Sequence, residues 1–334
     1  MALIQAQELL FRAREEPLPG AIWKEVFEEF WPSYQRWYLQ DGANERPYYL
    51  RCVGKLREYM PELMGTYETL TALTGGGDLE ARFLSLYCPP PYLTGCSQAV
   101  VGGDSPLLVR NYDYAPQLCE GLILKTCWNG RAVIGVSDCL WGLLDGINQD
   151  GLAASLSFGG RRVVGDGFGV PLVVRYVLET CTHTPEAIRA LTRIPVHMSY
   201  NVTVVDARGA FATVFLSPDR SPEVRIQAAA TNHQRRVEWH QHATATATVE
   251  RERHLMMLLA DKNMTDSALT RAFLQPPVYS RAFDRGFGTI YSAAYWPQQG
   301  RAEYYWPGDK WPQSFAQFDS GDRQIGFFNG SVED

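Results

Sequence analysis

Three consecutive prolines at residues 89–91 divide the chain into two parts with different hydrophobic patterns. Before them, apolar and aromatic residues recur at spacings of three and four, most clearly over residues 23–38, which is typical of amphipathic helices. After them, short apolar runs alternate with turns that contain glycine and aspartate, as expected for β-strands. Proline also disfavours a helical conformation in the residue before it, so no helix is expected to cross this point. Residues 1–88 are therefore predicted to be helical.

The element order beyond the prolines indicates an α+β fold. Runs of strands, then helices, then strands favour antiparallel sheets over alternating βαβ units. This order fits a four-layer αββα sandwich preceded by an N-terminal helical segment, although periodicity alone does not select the layering. Helices are predicted at residues 49–59, 62–73, 170–181, 185–191 and 248–260, and strands at residues 97–101, 107–110, 121–126, 132–137, 151–158, 200–206, 210–216, 223–230, 289–295 and 302–306.

Composition excludes several classes of protein. The net charge is −6 and the lysines and arginines are scattered, so neither a nucleic acid nor an anionic membrane is expected as a partner. The seven cysteines form no CxxC pair, which argues against a disulfide framework or a zinc site and favours a reducing cytoplasm. The sequence has neither an apolar run of membrane-spanning length nor a signal-peptide pattern. One main domain in the cytoplasm is predicted.

The segment Thr94-Gly95-Cys96-Ser97, between the prolines and the first strand predicted after them, contains the candidate nucleophile. Glycine leaves its carbonyl open to attack by the following thiol. An N-to-S shift and hydrolysis would then make Cys96 an N-terminus. Its new α-amine, with an ordinary pKa near about 7.7–8.0, can act as the general base for its own thiol. We therefore predict self-cleavage between Gly95 and Cys96, with Cys96 as the nucleophile.

These residues resemble the penicillin acyltransferase-like peptidase family, within the choloylglycine hydrolase and acid ceramidase superfamily of N-terminal-nucleophile (Ntn) hydrolases. The resemblance runs from about residue 60 to residue 306. Its features are weak singly, but their order and spacing make a strong joint signal. They are Gly95-Cys96, the run from Val109 to Tyr114 (VRNYDY), the segment from Gly151 to Leu156 (GLAASL), the strand from Asn201 to Asp206 (NVTVVD), and Thr231-Asn232-His233.

The resemblance implies roles for four further positions. Asp113 matches an aspartate that binds the new α-amine, and Arg110 an arginine near the thiol; a strand-end salt bridge is their non-catalytic interpretation. Asn232 matches an oxyanion-hole asparagine, with a turn cap as the alternative. Ser157 stands where the bile-salt branch has a second oxyanion asparagine, so it is a candidate for the oxyanion hole or the pocket. Gly288 replaces an arginine of other branches, so the substrate class cannot be carried over.

The function predicted from the sequence is a self-processing amidohydrolase or acyltransferase acting on a linear amide or acyl thioester through a thioester at Cys96. By analogy, a coenzyme A thioester is a candidate acyl donor; otherwise no cofactor and no metal are implied. One alternative is an intact, papain-like hydrolase that uses His233 or His197 as base. The other is an unprocessed, inactive Ntn-fold binding protein.

The domain prediction places a helical pro-segment at residues 1–95 and the Ntn catalytic domain at residues 96–334. Its aromatic residues, such as Trp23 and Phe27, favour a segment that stays docked after cleavage, because exposing that much apolar surface promotes aggregation. The chain is thus expected to act as a zymogen that matures into a heterodimer with its own N-terminal segment as the small subunit. The other partner is a small-molecule amide or acyl substrate, and a homo-oligomer is left open.

Overall fold

The computed structural model of the protein describes residues 7–328. Its strands are β1 (Gln7–Glu16), β2 (Gly95–Val101), β3 (Leu107–Tyr114), β4 (Leu122–Thr126), β5 (Val133–Asp138), β6 (Gly142–Asn148), β7 (Ala153–Phe158), β8 (Tyr200–Val205), β9 (Phe211–Leu216), β10 (Glu223–Arg225), β11 (Ala229–Ala230), β12 (Arg281–Ala282), β13 (Phe287–Trp296), β14 (Arg301–Trp306), β15 (Asp309–Ser314) and β16 (Gly321–Phe327). Its helices are α1 (Ala21–Tyr38), α2 (Tyr49–Tyr59), α3 (Met64–Leu73), α4 (Asp78–Leu84), α5 (Val170–Thr180), α6 (Thr184–Arg193), α7 (His240–Ala245), α8 (Thr248–Ala260) and α9 (Asp266–Ala272).

The strands form two sheets. The larger has nine strands in the order β10-β9-β8-β7-β6-β5-β4-β1-β16, and the smaller has seven, ordered β11-β2-β3-β13-β14-β15 with β12 paired to β13. Every pairing in both sheets is antiparallel except that of β1 with β4. Antiparallel pairing suits the short loops that join successive strands.

The layers follow the order predicted from the sequence. Helices α5 and α6 pack on the outer face of the nine-stranded sheet, against β6, β7 and β9. Helices α8 and α9 pack on the outer face of the seven-stranded sheet, against β2, β11 and β3. The inner faces meet where β2 and β3 contact β7, and they enclose the main hydrophobic core. The α+β class and the αββα layering are confirmed.

The N-terminal segment differs from the prediction in its first element. Residues 7–16 were expected to be helical, but they form β1, which lies between β4 and β16 in the nine-stranded sheet. Phe11 and Ala13 are buried while Arg12 and Arg14 point outward and pair with Glu29 and Asp322. This period of two is the pattern of a strand. Pairing with the distant β4 and β16 stabilises it, so its neighbours in sequence give little indication of it.

Glycines conceal another strand. Between the strands predicted at 132–137 and 151–158 only turns containing glycine and aspartate were expected, yet β6 is a fully buried strand there. A Cβ at Gly142 would strike Pro171, and one at Gly146 would meet Leu178 and the β5 backbone. These glycines let α5 and β5 approach closely. Similarly, the single strand predicted at 223–230 is two strands, β10 and β11, in different sheets.

The helices before β2 lie against the two sheets. Trp23 of α1 donates its indole N–H to the carbonyl of Leu140 at 2.9 Å, and Trp141 donates to the carbonyl of Leu84 of α4 at 2.8 Å. Phe83 packs among the rings of α1, including that of Trp31. With β1 inside a sheet, residues 7–94 are integrated into the fold. The division into two domains at residue 95 stays a prediction.

Within residues 7–328 there is no helix that combines the length and the apolar character needed to cross a membrane. The predicted cytoplasmic location is not tested by this observation.

Candidate active site

Strands β2 and β3 bring Cys96 and Arg110 together. Cys96 lies opposite Tyr112 and Gln98 lies opposite Arg110 in their antiparallel register. Alternation along each strand directs the side chains of Cys96 and Arg110 to the same face, towards the nine-stranded sheet. Arg110 Nη2 lies 3.1 Å from Cys96 Sγ, and both side chains are fully buried. Arg110 therefore lies near the thiol, as the family resemblance implied.

Arg110 is fixed by a buried acid. Its Nη1 donates to the carboxylate of Asp145 on β6 and, at 2.9 Å, to the hydroxyl of Tyr291. Tyr291 and Tyr295 both donate their hydroxyl protons to Asp145. A buried ion pair needs such additional hydrogen bonds to offset its desolvation. Asp145 was missed by the sequence analysis because its strand was not recognised.

Two opposing effects set the pKa of Cys96. Burial raises the pKa of the thiol above its ordinary value, and the neighbouring Arg110 cation lowers it, but burial is the larger effect. The hydroxyl of Thr94 adds a weak contact, 3.8 Å from Sγ. In the intact chain the thiol is therefore protonated and closed to solvent.

Gly95 lies against the predicted amine-binding carboxylate, Asp113. The two residues pair across β2 and β3, and a Cβ at Gly95 would come within 2.9 Å of the Asp113 Cβ. Thr289 donates its hydroxyl to Asp113 Oδ1 at 2.7 Å. Burial raises the pKa of Asp113, while Arg251, Thr289 and Arg110 lower it. The close approach requires glycine at the position before Cys96.

Asn232 contacts the main chain on both sides of the predicted cleavage site. It lies two residues after β11, the strand that pairs with β2. Its Oδ1 accepts the Cys96 backbone N–H at 3.0 Å. Its Nδ2 donates to the carbonyls of Thr94, at 3.4 Å, and Phe158, at 3.2 Å. The residue predicted as an oxyanion donor therefore touches Cys96, with its donor directed to the chain that precedes the nucleophile.

Arg251 on α8 is the residue at the centre of the site that the sequence analysis missed. It is buried and donates to the Cys96 carbonyl at 2.8 Å and to Asn232 Oδ1 at 2.7 Å. It also contacts Ser97 Oγ at 2.7 Å and Asp113 Oδ2 at 3.4 Å. One guanidinium thus links the main chain at Cys96 to two of the predicted site residues.

A signal for Arg251 was present in the sequence. In an α-helix, residues three and four apart share a face. The buried residues of α8 are Thr248, Arg251 and Leu255, whereas Arg253 is exposed. The position of Arg251 four residues before Leu255 placed it on the apolar face, where a charged residue needs a specific partner.

Ser157 belongs to a different network. Its hydroxyl donates to the Thr231 carbonyl at 3.0 Å and accepts from Gln98 Nε2 at 3.0 Å and Asn201 Nδ2 at 3.3 Å. Among the described residues, these are its hydrogen-bond partners, and Cys96 is not one of them. The structure brings Cys96, Arg110, Asp113 and Asn232 together but leaves the hydroxyl of Ser157 aimed elsewhere.

The histidines weighed as bases also bind elsewhere. His233 pairs with Glu252 at 3.1 Å, and its Nδ1 lies 3.0 Å from the hydroxyl of Thr248. His197 contacts the Phe168 carbonyl, and burial lowers its pKa to about 4. Neither geometry supports the papain-like alternative. In residues 7–328, no three His, Cys, Asp or Glu side chains are grouped as metal ligands.

A cleft of ≈ 650 Å³ opens beside the predicted cleavage site. Gly95, Asp113 and Arg251 form part of its wall, and Glu250 and Arg281 add charges of both signs. The cleft lies on the α8 side of β2 and β3, opposite the face that carries the thiol. It therefore reaches the bond before Cys96 without reaching Sγ.

Comparison with known proteins adds the family. Residues 100–311 match the family model described as acyl-coenzyme A:6-aminopenicillanic acid acyl-transferase. The chain belongs to this family. Membership confirms the predicted resemblance to the penicillin acyltransferase family. The match includes Arg110, Asp113 and Asn232 but begins after Cys96, so it does not itself test the nucleophile.

Other comparisons are more remote. A mutant conjugated bile acid hydrolase from Clostridium perfringens is 12% identical, with a TM-score of 0.41, covering 70% of this chain and 96% of its own. A penicillin V acylase from Agrobacterium tumefaciens is 13% identical, with a TM-score of 0.44, covering 66% of this chain and 87% of its own. No curated protein matches the sequence.

Proposed function

We propose that the protein is a self-processing Ntn cysteine enzyme that hydrolyses or transfers an acyl group through a thioester at Cys96. One observation carries the proposal. Arg110, Asp113 and Asn232, which are far apart in sequence, converge on Cys96 and Gly95, contacting the thiol, the residue before the scissile bond and the Cys96 N–H respectively. A merely structural buried cysteine needs no such set of partners.

Maturation would begin with attack of Cys96 Sγ on the Gly95 carbonyl carbon. The C–N bond breaks as the C–S bond forms, which gives a thioester and an amine on Cys96. Water then hydrolyses the thioester, leaving a carboxylate on Gly95, the free thiol and the free α-amine. The requirement for glycine before Cys96 supports a site fitted closely around this bond.

Cleavage would also release the oxyanion donor. In the intact chain Asn232 Nδ2 is engaged by the Thr94 carbonyl. When the cleaved end at Gly95 moves away, this N–H becomes available to the oxygen of a tetrahedral intermediate. Departure of the same residues would uncover Cys96 Sγ.

The mature reaction would use the α-amine of Cys96 as general base. The amine takes the thiol proton, and the thiolate attacks the acyl carbon of the substrate. The proton then passes to the leaving group, which departs as an amine from an amide or as a thiol from a coenzyme A thioester. Water or an acceptor amine completes the turnover by attacking the enzyme thioester. The coenzyme A donor rests on the family description alone.

A second candidate is an unprocessed binding protein. One observation favours it, because the thiol is fully buried in the intact chain and burial raises its pKa. In that case residues 1–95 stay covalently attached and Cys96 is inert. The proposed heterodimer with residues 1–95, the cytoplasmic location and any homo-oligomer are further parts of the proposal that await measurement.

Intact mass spectrometry of the purified protein tests cleavage directly. The expected result is two chains that meet at Gly95 and Cys96 and that remain together in a native gel filtration peak. Cys96→Ala should give one full-length chain, and Cys181→Ala, a buried cysteine at the end of α5, should cleave normally. A single full-length mass in all three proteins would overturn the proposal in favour of the binding protein.

A further inference from the structure

A second cavity, of ≈ 350 Å³, lies between the N-terminal helices and the catalytic sheets, and we name it the aromatic cavity. Helix α1, the segment before β2, and β3 all contribute rings to its wall. These rings are Phe30, Tyr34, Trp37, Tyr92, Tyr112 and Tyr114. Trp37 and Tyr92 meet edge to face at 5.9 Å, and Tyr112 and Tyr114 lie 5.7 Å apart.

Two buried carboxyls, Glu120 and Asp138, also line this cavity. Glu120 Oε1 accepts the Tyr34 hydroxyl at 2.6 Å and the Leu140 N–H at 2.7 Å, but its Oε2 has no hydrogen-bond partner within residues 7–328. Within residues 7–328, Asp138 accepts one side-chain hydrogen bond, from the weakly polar thiol of Cys139 at 3.5 Å. Neither acid forms an ion pair in the described part of the chain.

Among residues 7–328, no Lys, Arg or His side chain lines the cavity. The arginines that act electrostatically on the two acids, Arg12 on Glu120 and Arg110 on Asp138, are bound to other carboxylates, Glu29 and Asp145. Burial raises the pKa of both acids, and burial together with repulsion from Glu120 raises that of Asp138 to about 8. Buried acids are ordinarily paired with a cation or a metal, so the site is short of positive charge.

The cavity adjoins the nucleophile. Tyr112, in its wall, lies directly opposite Cys96 in the register of β2 and β3. Tyr92, also in the wall, precedes the predicted cleavage site by three residues. Unlike the charged cleft beside Asp113, the cavity lies on the face of β3 that carries Arg110 and the thiol.

From these contacts we propose that the aromatic cavity binds an organic ammonium group of the substrate. This proposal extends the proposed function, and the ligand is a substrate only if that function holds. Aromatic faces attract cations, most strongly where water is excluded. The free oxygen of Glu120 and the carboxyl of Asp138 supply acceptors for ammonium N–H groups. A volume of ≈ 350 Å³ suits a small amine with one ring or a short chain.

Binding can be measured without turnover in Cys96→Ala, which keeps the intact chain. The probes are 2-phenylethylammonium and 2-phenylethanol, which are close in size and differ in charge, and the readout is isothermal titration calorimetry. The ammonium should bind at least about tenfold more tightly, which corresponds to about 1.4 kcal/mol. Equal affinities, or binding of the alcohol alone, would overturn the inference.

Variants in the Cys96→Ala background locate the site. Glu120→Gln and Asp138→Asn should each weaken ammonium binding about tenfold or more and leave alcohol binding unchanged. Glu28→Gln removes an exposed acid from the same α1 helix and should change neither. Trp37→Leu removes one ring from the wall of the cavity and should also weaken ammonium binding. Thermal melting of each variant shows whether weaker binding is caused by loss of folding. Unaltered ammonium binding in both folded acid variants would contradict the assignment.

The mature enzyme separates this inference from the proposed function. Matched amides that carry either an ammonium or a hydroxyl group at the same position are compared by kcat/KM. Selective ammonium binding without turnover of either amide would contradict the enzyme proposal and leave the cavity assignment intact. Equal turnover of both amides without selective binding would contradict the cavity assignment and leave the enzyme proposal intact.

Discussion

The two faces of the ribbon formed by β2 and β3 hold Cys96 in different ways. On the face towards the nine-stranded sheet, Arg110 contacts the thiol and is itself fixed by Asp145. On the face towards α8, Arg251 contacts the Cys96 carbonyl and Asp113. Each face thus has an ion pair between a buried arginine and a buried acid beside Cys96, and of these two arginines it is Arg110 that contacts the thiol.

The two faces are therefore suited to different roles. The Arg110 face can stabilise a thiolate, because its cation lies 3.1 Å from sulfur. The Arg251 face can fix only the main chain and the groups around the scissile bond. Changes on the α8 face are therefore expected to affect stability and cleavage first, and changes on the inner face to affect the reactivity of the mature thiol.

The largest effect is expected for Arg251→Met. This change keeps much of the side-chain volume but leaves Asp113 as an uncompensated buried charge and removes donors to Cys96 and Asn232. Breaking a buried pair in this way costs about 3–5 kcal/mol. Urea unfolding should show this loss, and intact mass should show slow cleavage. Arg253→Met, on the exposed side of α8, is the matched control, and equal stability of the two variants would show that Arg251 is dispensable.

On each face the sequence identified one member of the ion pair and missed the other: Arg110 but not Asp145, and Asp113 but not Arg251. Cys96, Arg110, Asp113 and Asn232 were chosen as candidates because they occur in a recognisable order along the chain. Arg251 and Asp145 were not, because each acts through contacts with distant strands and neither stands in a distinctive local motif. The helical spacing from Leu255 marked Arg251 as buried, but nothing in the sequence specified which groups it contacts.

Arg110→Lys tests the inner face with the charge retained. Lysine lacks the planar fork that lets Arg110 reach Cys96 Sγ and Asp145 together. We expect kcat/KM of the mature enzyme to fall about ten- to hundredfold, or about 1.4–2.7 kcal/mol. The thiol pKa should also rise, so that the rate of iodoacetamide alkylation increases at a higher pH than in the wild type. An unchanged alkylation profile would mean that Arg110 does not stabilise the thiolate.

Gly95→Ala tests the close approach between the cleavage site and Asp113. The added methyl would meet the Asp113 Cβ at 2.9 Å and displace β2 or β3. Overpacking of this kind costs about 1–3 kcal/mol, and a shifted carbonyl should slow cleavage, which is followed by intact mass. Gly54→Ala, in helix α2 with open space around its Cα, should cleave normally and be stabilised by about 0.5–1 kcal/mol. Rapid cleavage of Gly95→Ala would show that glycine is not required.

The sequence predicted some helices of the fold accurately and missed some strands. Helices α2 and α8 have the bounds that were predicted, 49–59 and 248–260, because an apolar face repeats within each segment. Strands β1 and β6 escaped prediction, since β1 is stabilised by pairing with distant strands and the glycines of β6 serve close packing. Local periodicity was informative where an element's own residues determine it, and uninformative where partners far along the chain do.

Ser157→Ala should have the smallest effect, and it tests whether Ser157 acts together with the residues of the inner face around Cys96. In the structure its hydroxyl is held by Thr231, Gln98 and Asn201, so its loss should cost about 1 kcal/mol of stability. We expect kcat/KM within about twofold of wild type, whereas Asn232→Ala, which removes the proposed oxyanion donor, should lose about 10²–10³-fold in kcat. A loss in Ser157→Ala as large as that in Asn232→Ala would mean that cleavage reorients the serine. The second oxyanion donor implied by the family resemblance would then be Ser157 itself, and the inner face would extend from Arg110 to β7.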